Sequence, residues 1–126
     1  MRRAIGNGEV LDARVLAGLR EYQRPGEPDF LTHLIGVFLD DLSLRLESIR
    51  NAQTRGDLET LRSAAHALKG ASGELGAKRL NVLCARLEAA ARSGILAAVQ
   101  PLAREVEDEA VRVRRAMEVL RTPETT

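Results

Sequence analysis

A chain of 126 residues, 44% of them apolar, is sized for one domain around one core; with only Tyr22, Phe30 and Phe38 aromatic, that core is aliphatic and favours helices. A net charge of +1 argues against nucleic-acid binding, and the single Cys84 excludes both an intramolecular disulfide and a cysteine cluster for zinc. No apolar run is long enough for a membrane span or a signal peptide, so no membrane association and a cytoplasmic location are expected.

Residues 1–9 read as a flexible polar lead. Asp12 then caps a first helix, with Leu11 and Leu16 spaced to form a hydrophobic staple, and Arg24-Pro25-Gly26 stops it. A second helix is predicted to begin around Pro28, whose fixed φ and acidic neighbours Glu27 and Asp29 suit a helix start. Its apolar positions Leu31, Leu34, Ile35, Phe38, Leu39, Leu42, Leu46 and Ile49 recur at intervals of three and four. Gly56 closes it, and Asp57 caps a third helix with the stripe Leu58, Leu61, Ala65, Leu68, Ser72 and Leu75, ending at Gly73 and Gly76. A fourth carries Leu80, Leu83, Leu87 and Ala90 or Ala91 and stops at Ser93-Gly94. The last carries Val99, Leu102, Val106, Ala110, Val113, Met117 and Leu120, with Pro101 obscuring its start and Pro123 beyond its end.

Four amphipathic helices joined by short turns bury their stripes together only by packing antiparallel. The expected fold is therefore all-α, an up-down four-helix bundle with a short additional N-terminal helix, occupying residues 10–122 and followed by a tail, 123–126. Such a bundle is complete as a monomer, although a dimer is compatible with the same pattern. Nothing divides the chain into two domains, and both a free-standing protein and a domain of a larger kinase fit its ends.

On the third helix, His66 points roughly 130° away from the centre of the apolar stripe and so toward solvent. Arg62, Lys69, Gly70 and Gly73 fall on the same side, giving the imidazole cationic neighbours and two positions without side-chain bulk. An exposed neutral imidazole is a competent nucleophile. Alone, such a histidine is usually an ordinary solvated residue, as His33 on the second helix is expected to be.

The stretch His66-Ala67-Leu68-Lys69-Gly70 followed by Leu75-Gly76-Ala77 resembles the signature of the histidine phosphotransfer family of two-component phosphorelays. Downstream, Leu80, Leu83, Cys84, Leu87 and Glu88 are similar to that family's following helix, and Phe30-Leu31 through Phe38-Leu39-Asp40-Asp41 to its preceding one, so the resemblance covers nearly the whole chain. It implies that His66 is the phosphorylated residue, Lys69 the cation beside the phosphoryl oxygens, and Gly70 the gap that admits a partner. Glu88 stands where some members carry a glutamine bonded to the histidine. A glutamate can accept the imidazole proton instead, and a plain surface charge is the alternative.

The implied role is that of a relay between receiver domains, on a hybrid sensor kinase or a response regulator, by way of phospho-His66. No Walker-type loop, nucleotide lid or acidic triad supplies kinase chemistry, so the chain is expected to bind no cofactor and to take Mg2+ with its partner. Residues 55–92 carry seven Lys or Arg against four Asp or Glu, net +3, and residues 27–50 two against five, net −3. A basic rim around His66 would favour encounter with an acidic receiver site, Phe30, Leu31 and Leu34 are candidates for the dry centre of that docking face, and Arg62 and Gly73 are further partner-binding candidates. Cys84 reads as a small core filler, Ser72 as bonded to a carbonyl of its own helix, and a zinc site from His33, His66 and Cys84 would need three helices to converge by chance. The rival reading is a helical adaptor that docks receiver or kinase domains without being phosphorylated. A third makes the chain the substrate domain of a chemotaxis-type kinase.

Overall fold

Capping chemistry decides where the first three helices begin. Asp12 accepts from the Arg14 N–H at the head of α1 (Ala13–Arg20). Asp29 accepts from the Thr32 N–H at the head of α2 (Phe30–Arg55), and Asp57 from the Thr60 N–H at the head of α3 (Leu58–Glu74). Each satisfies an N–H group that the first helical turn leaves without a partner. α4 (Lys78–Ser93) and α5 (Leu96–Arg121) follow. The computed structural model describes residues 10–121, and all its regular structure is helical; the expected lead 1–9 and tail 123–126 lie outside the described residues.

Two boundaries differ from expectation. α1 stops at Arg20, ahead of Arg24-Pro25-Gly26, because the intervening loop is gathered around the Gln23 side chain. Its Nε2 lies within 3.2 Å of the carbonyl oxygens of Arg24, Glu27 and Pro28, and its Oε1 accepts from the Phe30 N–H at 2.6 Å. α2 starts at Phe30, with Asp29 as its cap and Pro28 outside it. In α5 the helix already runs from Leu96, so Pro101 sits exposed in its second turn, where its missing N–H removes a single bond.

α2 packs on α3, α3 on α4, α4 on α5 and α5 back on α2, which closes the four long helices into a bundle. The stripes read from the sequence fill its interior: Ile35, Leu42, Leu61, Leu68, Leu80, Leu87, Val99, Val106, Val113 and Met117 are all buried. Leu11 and Leu16, on either side of the Asp12 cap, are buried as well. α1 contacts α2 and is tied to the α3–α4 turn, where the Asp12 N–H donates to the Gly76 carbonyl at 2.8 Å and Lys78 Nζ meets the Asp12 carboxylate at 2.8 Å. Gly76 has φ 81°, and a Cβ there would stand 3.1 Å from Val15 Cβ, so both the turn and the close approach of α1 require glycine. That turn aligns α3 with α4 and so sets which α4 side chains face His66.

Candidate functional site

α3 turns Leu61, Ala64, Ala65, Leu68 and Ser72 into the core, which leaves His66 on its outer side with 63% of the side chain exposed. Its Nδ1 lies 2.9 Å from Glu88 Oε2 on α4. The other carboxylate oxygen, Oε1, is 2.9 Å from Lys69 Nζ, and Oε2 also accepts from Arg92 at 3.0 Å. Glu88 itself is only 4% exposed, so the surface-charge alternative does not hold. The Lys69 ammonium, helped by His66 and opposed by burial, holds the Glu88 carboxyl below the usual carboxylate range.

An ionised carboxylate only accepts hydrogen bonds, so Nδ1 must carry the hydrogen that joins them. In the neutral ring the lone pair is then on Nε2, the nitrogen away from Glu88. The cluster is thus an exposed nucleophile of fixed tautomer, with an ammonium group bonded to the same carboxylate. Gly70 is open, since nothing lies within 4 Å of where its Cβ would be.

The Hpt domain family matches residues 33–121. The chain belongs to the Hpt domain family. The crystal structure of histidine-containing phosphotransfer protein B from Pseudomonas aeruginosa PAO1 is similar over 89% of this chain and 94% of its own, with 37% identity and a TM-score of 0.81. Histidine-containing phosphotransfer protein ZmHP2 from maize shares the fold, with a TM-score of 0.79 over 90% of this chain and 83% of its own at 19% identity. Histidine-containing phosphotransfer protein 5 of Arabidopsis thaliana is 33% identical over 69 residues, a match that spans 52% of this chain and 44% of the plant protein. The chain thus spans less than half the length of that curated relative.

Around the His66 cluster of this Hpt domain, other residues fall where the sequence did not put them. A Cβ on Gly73 would come within 3.0 Å of Asn81 Nδ2, which donates to the Lys69 carbonyl at 2.8 Å. Gly73 therefore makes room between α3 and α4, where it was read as part of a partner surface. Arg62 lies on the His66 side of α3 but pairs with Glu59. Leu31 is buried to 6% exposure and contributes to the core, not to a docking face. Phe30 is half-buried with its ring centroid 5.9 Å from that of Tyr22.

Leu34 does reach an opening. With Leu19, Val37, Phe38, Ala71 and Leu75 it lines an apolar groove of about 450 Å³, rimmed by Asp41 and Glu74. Ala71 and Glu74 place this groove within about 12 Å of His66 along the α3 axis. Val37 and Leu44, well exposed on α2, were missed because they lie off the buried stripe, although an apolar residue off the stripe is itself a signal.

The basic stretch is also less bare than its charge count implies. Of the seven cations in residues 55–92, Arg55, Arg62, Lys69, Lys78, Arg79 and Arg92 each pair with a carboxylate, and only Arg86 has no such pair among the described residues. Ser72 Oγ donates to the Leu68 carbonyl at 2.7 Å, within its own helix. Cys84 is fully buried, and burial pushes its thiol up to about 12. His33 is exposed, and among the described residues no group of three or more His, Cys, Asp or Glu is placed to hold a metal ion.

Proposed function

We propose that this Hpt domain carries a phosphoryl group on Nε2 of His66 and relays it between receiver-domain aspartates, one on a hybrid kinase or response regulator and one on another receiver. The observation that carries the reading is the exposed imidazole whose Nδ1 is bound to a buried, ionised Glu88 beside Lys69. In the transfer step the Nε2 lone pair attacks phosphorus in line. The bond from phosphorus to the aspartyl oxygen breaks, its electron pair stays on the carboxylate, and a phosphorus–Nε2 bond forms. The Nδ1 hydrogen remains on the Glu88 hydrogen bond, so the positive charge that the ring acquires faces a carboxylate at 2.9 Å. Lys69 can then trade Glu88 for the phosphoryl oxygens. Because phosphoryl transfer asks mainly for positioning and charge compensation, these groups suffice on the histidine side.

Gly70 leaves the approach to His66 open to a receiver. In this reading the receiver would hold the Mg2+, which would supply charge neutralisation at the phosphoryl group. On the same reading the chain has no kinase activity of its own, works as a monomer and acts in the cytoplasm. None of its described helices is long and apolar enough to cross a membrane.

The test is incubation with a panel of phosphorylated receiver domains and Mg2+, comparing the wild type with His66→Gln. Acid-labile, base-stable label on the wild type alone is expected. A folded chain that binds receivers yet stays unlabelled would replace the relay with the adaptor.

A further inference from the structure

Two polar side chains of α4 that reach α3 beside the His66 cluster, Asn81 and Glu88, are seven residues apart, about two helical turns. Both end on Lys69. Asn81 Nδ2 donates to the Lys69 carbonyl at 2.8 Å, and Glu88 Oε1 is 2.9 Å from the Lys69 ammonium. α4 therefore holds this residue by its main chain and by the tip of its side chain. We infer that Asn81 is a positioning residue for Lys69, and that position 73 is glycine so that the Asn81 amide can lie across α3 to reach it. The inference rests on the phosphotransfer reading of His66 and adds to it a residue outside the motif that identified the site.

A mid-helix carbonyl already has an N–H partner four residues on, and the Lys69 carbonyl lies 3.1 Å from Ser72 Oγ as well. A further donor from the next helix is not needed to satisfy it. What the Asn81 bond adds is register, because sliding or rotating α4 against α3 breaks it. Gly73 gives the bond its room, since a Cβ there would stand 3.0 Å from Nδ2 and push the amide aside by a few tenths of an ångström. The two ends of Lys69 then have different duties. The main chain stays fixed by Asn81, while the ammonium is held by an ion pair that a phosphoryl group on His66 can displace. How well the ammonium meets that group depends on where the main chain starts it, and displacements near 1 Å are enough to slow a reaction strongly.

The experiment uses phosphoramidate, a small donor that phosphorylates an accessible histidine without a receiver: its phosphorus–nitrogen bond breaks, phosphorus bonds to Nε2 and ammonia leaves. Initial rates are measured for the full chain, for Asn81→Asp (similar shape, no donor), Asn81→Ala and Gly73→Ala, and for each change combined with Lys69→Ala. Thermal melting follows the fold of every variant. Each single change should lower the rate by up to about tenfold, Gly73→Ala should add nothing to Asn81→Ala, and all three effects should vanish once Lys69 is Ala. Wild-type rates in Asn81→Asp and Asn81→Ala overturn the inference. So does a penalty that persists without Lys69, since that assigns the pair to the fold alone. A wild type that takes no label at His66 overturns instead the reading on which the inference rests.

Discussion

Glu88 has a charge where a glutamine would offer only a carbonyl oxygen, and the difference falls on the step that puts positive charge on the ring. Glu88→Gln keeps a partner for the Nδ1 hydrogen but removes the compensating carboxylate. The variant is expected to fold, to accept label at His66, and to do so about tenfold more slowly; a time course against wild type checks this, and equal rates would show that the charge is idle. Gly70 faces open space, so Gly70→Ala should raise stability by up to about 1 kcal/mol. Gly70→Leu should leave labelling by phosphoramidate intact yet slow transfer from receivers, and a variant equally fast with both donors would contradict a steric role. His66, Lys69 and Gly70 were legible because their relation is a spacing within one helix. The pairing of Glu88 with His66 and Lys69 and the existence of the Asn81–Lys69 bond were not, because they depend on how α4 is registered against α3, which no periodicity within either helix encodes.

Among the elements, the starts of α1 and α3 were readable, since the Asp12 and Asp57 caps act over three residues or fewer, whereas Asp29, which caps α2, was read only as an acidic neighbour of Pro28. The end of α1 was misread for the opposite reason. One Gln23 side chain reaches as far as Phe30 and organises the connection in place of the proline-glycine signal. Val37 shows a further limit of the stripe: α2 shares its surface between the core and an open groove, and periodicity reports only the buried part. α3 is anchored by Leu68, fully buried and on the opposite side from His66. Leu68→Ala should destabilise the bundle by about 2–5 kcal/mol. A urea titration should show a lower midpoint with an unchanged slope, whereas a change within error would place Leu68 outside the core.

For the molecule as a whole, carboxylates link folding to pH. Glu88 is held below its ordinary value of 4.5 by Lys69 and His66. Asp12, bonded first of all by Lys78, and Asp29 and Asp57, bonded by Thr32 and Thr60, are held below their ordinary 3.8. Groups lowered on folding contribute stability that is complete above their unfolded values and disappears as pH falls through the folded ones. The melting temperature should therefore vary little with these groups above about pH 5 and drop below about pH 4; no drop down to pH 2 would contradict these pairings. The same pairing tempers the charge argument. With six of the seven cations in residues 55–92 already matched to carboxylates, association with a receiver should slow only modestly as salt rises. The central claim is tested most directly by phosphorus NMR of the labelled chain. A single phosphoryl group on Nε2 of His66, absent from His66→Gln, is the expected result; a phosphoryl group on Nδ1, or equal labelling of His66→Gln, would contradict the account.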